Sequence, residues 1–158
     1  MSPDYLNRRL LTVMKATAVA IVAILVQWHE GIKNKPYKNS DDVLTVCYGH
    51  TGKEVIPGKH YTYEECQDLL EQDLKTAMSV VETHVTVPLS DLQKAALASF
   101  VYNVGNRAFA RSTLLKKLNT GNRQGACNEM QRWKYNEGKI SKGLVNRRAV
   151  ERELCLHD

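Results

Sequence analysis

His29-Glu30-Gly31, then Pro36-Tyr37-Lys38-Asn39, then Leu44-Thr45-Val46-Cys47-Tyr48-Gly49-His50-Thr51-Gly52: this stretch decides how the chain folds. A carboxylate closes an apolar run, and a glycine follows at once. Leu44 to Tyr48 reads as a strand, and Gly49, Gly52 and Pro57-Gly58 mark turns. Residues 31–62 therefore predict a small antiparallel sheet of about three strands. Glu30 then stands where a helix meets a sheet, half out of water. A carboxylate so placed holds its proton to higher pH, as a general acid at neutral pH must. On placement alone, an ordinary solvated carboxylate at a helix end is the commoner reading.

Downstream the spacing turns helical. Thr62 and Glu65 form a capping-box pattern, followed by Cys66, Leu69, Leu70, Leu74, Ala77 and Val81, so a long helix runs to about Thr83. Ser90 and Gln93 repeat the pattern. Leu92, Ala95, Ala96, Ser99, Phe100 and Val104 follow, in a helix that stops at Gly105 and is apolar on most sides. It should be the buried centre of a helical lobe. Shorter helices are expected from Ser112 to Asn119, from Asn122 to about Trp133, and from about Leu144 to Leu156, with 136–143 as a loop. The fold class is α+β: a β lobe over about 31–62, a connecting helix over about 63–83 and a helical lobe over about 84–158. Such lobes leave a cleft between them, the usual place for an active site.

The 22 basic and 17 acidic residues give a formal charge of +5, which suits an anionic partner without choosing one. No Lys/Arg run exceeds two residues and no nucleic-acid motif is present, so no nucleic-acid partner is expected. Cys47, Cys66, Cys127 and Cys155 are too widely spaced for a CxxC site. They read as two disulfides of an oxidising compartment or as four buried thiols. If bridges form, chain proximity favours Cys47 with Cys66 and Cys127 with Cys155 among the three possible pairings. His29, His60, His84 and His157 lack ligand spacing, so neither metal nor cofactor is expected.

The N-terminus, residues 1–29, reads as an export segment. Arg8, Arg9 and Lys15 precede the charge-free run from Ala16 to Trp28. Those 13 residues span only ~20 Å against a hydrocarbon core of ~30 Å. Reaching a full span means recruiting Leu10 to Met14, so residues 10–28 would engage the membrane, and four alanines weaken the hold. No small-x-small cleavage site follows the run. The alternative is a buried N-terminal helix.

The stretch quoted first resembles the active-site region of phage-type lysozymes, glycoside hydrolase family 24, with Glu30, Tyr37, Thr45, Gly49 and His50 in register. Ser99 to Gly105, including Asn103, resembles the family's central helix. Trp133, Gly138-Lys139, Gly143-Leu144, Arg147-Arg148 and Glu151 resemble its C-terminal signature. The N-terminal run and the cysteines resemble lambdoid endolysins with a signal-arrest-release segment. The resemblance implies a muramidase acting on peptidoglycan from residues 30–158. It would be exported, tethered to the inner membrane and then released as a periplasmic monomer. Glu30 would be the acid, and Thr45 would hold the attacking water. Arg147 or Arg148 would reach Glu30 or a nearby carboxylate, with at least one of them a solvated helix charge. Tyr37 and Asn103 would line or support the site, and His50 would be a hydrogen-bonding residue.

Asn39 departs from the pattern, which has Asp there. Inverting glycosidases use a second carboxylate to activate water. An amide can orient water through its carbonyl oxygen but cannot take the proton. Three readings stay open. Asp41 or Asp42 serves as substitute base, Glu30 acts alone in a transglycosylase-like way, or the protein grips glycan with weak or lost activity.

Overall fold

The computed structural model describes residues 18–157. The Leu10–Thr17 part of the expected membrane run lies outside the described residues. Helix α1 (Ala18–Glu30) leads into a three-stranded antiparallel sheet in the order β1 (Lys33–Lys38), β2 (Leu44–Cys47), β3 (His50–Thr51). Helix α2 (Tyr63–His84) crosses to the helical lobe. That lobe holds α3 (Asp91–Val104), α4 (Asn106–Ala110), α5 (Thr113–Asn119), α6 (Arg123–Glu129) and α7 (Lys142–Leu156). A hairpin, β4 (Tyr135–Asn136) with β5 (Lys139–Ile140), precedes α7. The α+β reading is as the sequence implies.

Both capping boxes form. Thr62 accepts from the Glu65 N–H and Glu65 returns a bond to the Thr62 N–H; Ser90 and Gln93 do the same. Buried Cys66, Leu70, Leu74, Ala77, Met78 and Val81 line one face of α2 at helical spacing. Helix α3 is buried on most sides, from Leu92 through Val101, and packs against α1, α2 and α7. Cys47–Cys66 ties the sheet to α2, and Cys127–Cys155 ties α6 to α7, in the pairing that chain proximity favoured.

Helix α1 is not confined to the turns nearest Glu30. Ile21, Val22, Leu25 and Val26 are fully buried in the common core with α2 and α3. At roughly 1.5–3 kcal/mol for each buried aliphatic side chain, these four contribute on the order of 6–12 kcal/mol of gross hydrophobic stabilisation. Among the described residues, no helix is long and apolar enough to cross a membrane.

Two local readings change. The expected loop at 136–143 holds the hairpin, turned at Glu137 (φ 52°) and Gly138 (φ 79°). Paired positive φ values match the twist of a two-residue hairpin, which Asn-Gly would have announced more plainly than Glu-Gly. Ser141 then caps α7 by accepting from the Leu144 N–H. The helix expected from Asn122 to Trp133 ends at Glu129 and tightens into a 3-10 turn over Met130–Arg132.

Candidate active site

Between the lobes lies a cleft of about 890 Å³. Glu30 reaches it from the last turn of α1. Gly31, at φ 65°, donates back to the Gln27 carbonyl and turns the chain into β1. Tyr37, Asn39, Thr45 and Thr51 line the cleft from the β lobe; Tyr102, Asn103, Trp133, Tyr135 and Arg147 line it from the helical lobe. Among the described residues, Glu30 is the only carboxylate in the lining.

The Glu30 side chain is 24% exposed, and a buried charge cluster fixes its orientation. Arg147 Nη1 donates to Glu30 Oε1 at 2.5 Å. The same guanidinium donates to Glu151 Oε2 at 3.2 Å and to the Ser99 carbonyl at 3.0 Å. Ser99 Oγ donates to Glu151 Oε2 at 2.6 Å, and Arg148 Nε stands 3.2 Å from Glu151 Oε1. Arg148 also donates to Asn103 Oδ1 and stacks over the Phe100 ring at 5.0 Å. Two arginines thus face two glutamates in the interior, where an unpaired charge is costly. Neither arginine is a solvated helix charge: Arg147 is 3% exposed and Arg148 1%. Arg147 alone contacts Glu30. Arg148 supports the cluster, its pKa pulled down to about 10 by burial, with Glu151 opposing and Arg147 assisting. The remaining space beside the cluster goes to His29. Burial, then Arg147, then Arg148, lower its pKa to about 3, so it adds no third positive charge at neutral pH.

The other carboxylate oxygen points to the sheet. A Cβ on Gly49 would stand 3.1 Å from Glu30 Oε2, and Gly49 has φ 87°. Glycine is needed there for both its backbone and its lack of a side chain. Oε1 is therefore held by Arg147, and Oε2 lies beside the Gly49 backbone. The turn bearing Gly49 is anchored twice: Cys47 by its disulfide, and the Tyr48 carbonyl by the Tyr102 hydroxyl at 2.7 Å. Burial, then the charges of Asp73 and Glu30, push the Tyr102 pKa far up, so it stays a donor.

His50 follows that turn. Its Nδ1 lies 2.7 Å from Asp73 Oδ2 and its Nε2 2.6 Å from Glu54 Oε1. Both partners are carboxylates, so the doubly protonated ring is the form that can donate to both. Burial would lower the His50 pKa, but the hydrogen bonds to Asp73 and Glu54 outweigh it and raise the value. Neither nitrogen is left for a metal. Tyr37 pairs with Thr45 across β1 and β2, and its pKa is raised by burial and then by the charge of Glu30.

On the β-lobe side of the cleft, the Asn39 Oδ1 accepts from the Asp41 N–H at 2.9 Å and the Val43 N–H at 3.0 Å. The carbonyl expected to orient water is thus occupied in the turn, and Nδ2 is what Asn39 offers the cleft. Thr45, 3% exposed, donates its hydroxyl proton to the Val43 carbonyl at 3.1 Å, so its lone pairs remain. Asp41 and Asp42 are exposed in the β1–β2 turn and outside the lining, with Asp42 paired to Lys38 at 3.4 Å.

Sequence reading did not bring Glu151, Ser99 and Tyr102 to the site as Glu30's support. The signal lay in Arg147, Arg148 and Glu151, which share one helix face at i, i+3 and i+4.

A cleft between a small sheet and a helical lobe, with one anchored carboxylate at its mouth, defines a glycoside-cleaving enzyme of lysozyme architecture. The chain is 45% identical over 162 aligned residues to a SAR-endolysin of Bacteriophage PS119, covering 99% of this chain and 96% of that protein. It superposes with a TM-score of 0.73 on a crystal structure of a mutant P22 lysozyme, at 35% identity and covering 89% and 95% of the two chains. It superposes at 0.79 on the muramidase domain of SpmX from Asticaccaulis excentricus, at 30% identity and the same coverage. The phage lysozyme family matches residues 27–151, and the chain belongs to that family.

Proposed function

We propose that this chain is a phage endolysin. It is a muramidase that cuts the β-1,4 bond between N-acetylmuramic acid and N-acetylglucosamine in host peptidoglycan. The observation that carries the reading is the anchored Glu30, the single carboxylate among the described cleft residues, with Oε1 held by Arg147 and Oε2 beside Gly49, which also lines the cleft. Glu30 protonates the glycosidic oxygen, and attack on the anomeric carbon comes from the side of Asn39 and Thr45. Mass spectrometry of digested sacculi tests this: new reducing muramic ends are expected. Intact glycan with bound protein would leave a glycan-binding homologue instead.

The N-terminal run tethers the exported protein to the inner membrane, and release yields a periplasmic monomer. Support comes from the two environments that α1 suits. It is charge-free from Ala18 to Trp28, yet it buries Ile21, Val22, Leu25 and Val26 in the folded core. While the run lies in the bilayer, Glu30 is held at the interface and the cleft lacks its acid. Replacing Ala20, which is exposed, and Ala23, which is half-buried against the core, with leucine strengthens the membrane state. The variant should stay in the membrane fraction and delay lysis; lysis on the wild-type schedule would refute the tether.

A further inference from the structure

We infer that this enzyme cleaves with retention, using the substrate's own acetamido group as nucleophile, and that Asn39 and Thr45 bind that group. The inference rests on the muramidase reading. Water attacking the anomeric carbon needs a base, and among the described residues the cleft lining offers no carboxylate beside Glu30. Asn39 cannot substitute, because both lone pairs of its Oδ1 are engaged by the Asp41 and Val43 N–H groups. Thr45 donates its hydroxyl hydrogen bond to the Val43 carbonyl. The two side chains thus bracket one backbone residue, Val43. Between them they present one N–H donor, Asn39 Nδ2, and one acceptor, Thr45 Oγ1. That is the complement of a secondary amide, which offers one C=O and one N–H. The 2-acetamido group of N-acetylmuramic acid is such an amide. Its carbonyl oxygen is a neutral nucleophile that needs no base.

The steps balance with Glu30 alone. Protonated Glu30 Oε2 gives its proton to the glycosidic oxygen. The acetamido oxygen bonds to C1 from the opposite face, the C1–O bond to N-acetylglucosamine breaks, and an oxazolinium ion forms. Asn39 Nδ2 orients the acetamido oxygen, and Thr45 Oγ1 accepts from the acetamido N–H. Water then enters on the Glu30 side. Glu30 takes its proton, the water oxygen bonds to C1, and the C1–O bond of the oxazolinium breaks. The acetamide is restored, Glu30 is protonated again, and the new end is the β anomer.

The experiment follows the new anomeric signals by proton NMR while soluble glycan strands are digested. The wild type should release the β anomer first. Asn39→Asp keeps Oδ1 in the turn and puts an acceptor where Nδ2 stood, so it should release the α anomer first. An α anomer from the wild type would overturn the inference, as would 1,6-anhydro ends. A β anomer from both proteins would show that Asn39 does not select the path. Cleavage by Asn39→Asp alone would overturn the inference and leave the muramidase cleft intact. No cleavage by either protein would refute the muramidase reading itself.

Discussion

Arg147→Met removes the link between Glu30, the proposed acid, and the buried Glu151 behind it. Methionine fills much of the arginine stem's volume, so the change is chiefly one of charge and hydrogen bonding. Glu151, fully buried, keeps Arg148 at 3.2 Å and the Ser99 hydroxyl at 2.6 Å but loses its bond to Arg147. Glu30, 24% exposed, can recruit water in place of Arg147. Breaking a buried ion pair costs about 3–5 kcal/mol, and these remaining partners place the variant near the lower end, about 3 kcal/mol. Against a total stability of about 5–15 kcal/mol the protein stays folded. The midpoint of thermal unfolding should fall by about 6–12 °C. Thermal unfolding followed by circular dichroism, with disulfides intact, measures that shift, and urea unfolding measures the loss of free energy. Activity per folded molecule should fall as well, because Glu30 Oε1 loses its anchor. A loss below about 1 kcal/mol would refute the claim that Arg147 compensates Glu151, since exposed pairs contribute that little.

Gly49→Ala places a methyl beside Glu30 Oε2 at a positive φ. It should cost about 1–2 kcal/mol of stability and lower activity per folded molecule by about tenfold or more; unchanged turnover of sacculi would show that Oε2 is not the working oxygen. Removing Cys127–Cys155, which closes a separation of 28 residues, should destabilise by about 3–4 kcal/mol. Removing Cys47–Cys66, with its separation of 19, should cost about 3 kcal/mol and also loosen the Gly49 turn, so only this second change should reduce activity below denaturing temperatures. The His50 pKa is raised in the fold, so its contribution is fully present below about pH 6.5 and is lost as pH rises through the folded value. Urea midpoints of the wild type should therefore fall between pH 6 and 9 more steeply than those of His50→Asn; equal slopes would show that the pair with Asp73 and Glu54 does not set this dependence.

The fold was legible where local chemistry speaks for itself. Capping boxes at Thr62 and Ser90 and the i, i+4 rows of α2 need no tertiary information. The hairpin at Tyr135–Ile140 was hidden because Glu137 enters a positive-φ turn without the Asn or Asp that usually marks one. At the site, Glu30, Thr45 and Arg147 could be named from pattern. The role of Asn39 could not, because the Val43 and Asp41 N–H groups that occupy its carbonyl are fixed by the turn, not by the motif. Arg148 misled for a related reason: a charged helix face reads as solvated until Glu151 and the Phe100 ring are known to cover it.

The most direct measurement is cell-wall cleavage by Glu30→Gln. The amide keeps the shape of the side chain and its contact with Arg147 through the carbonyl oxygen, but it has no carboxyl proton to give. Release of reducing muramic ends from sacculi should fall by about 10²–10⁴-fold, with circular dichroism showing the native fold at the assay temperature. A folded Glu30→Gln protein that cleaves at a near-normal rate would contradict the assignment of Glu30 as the acid.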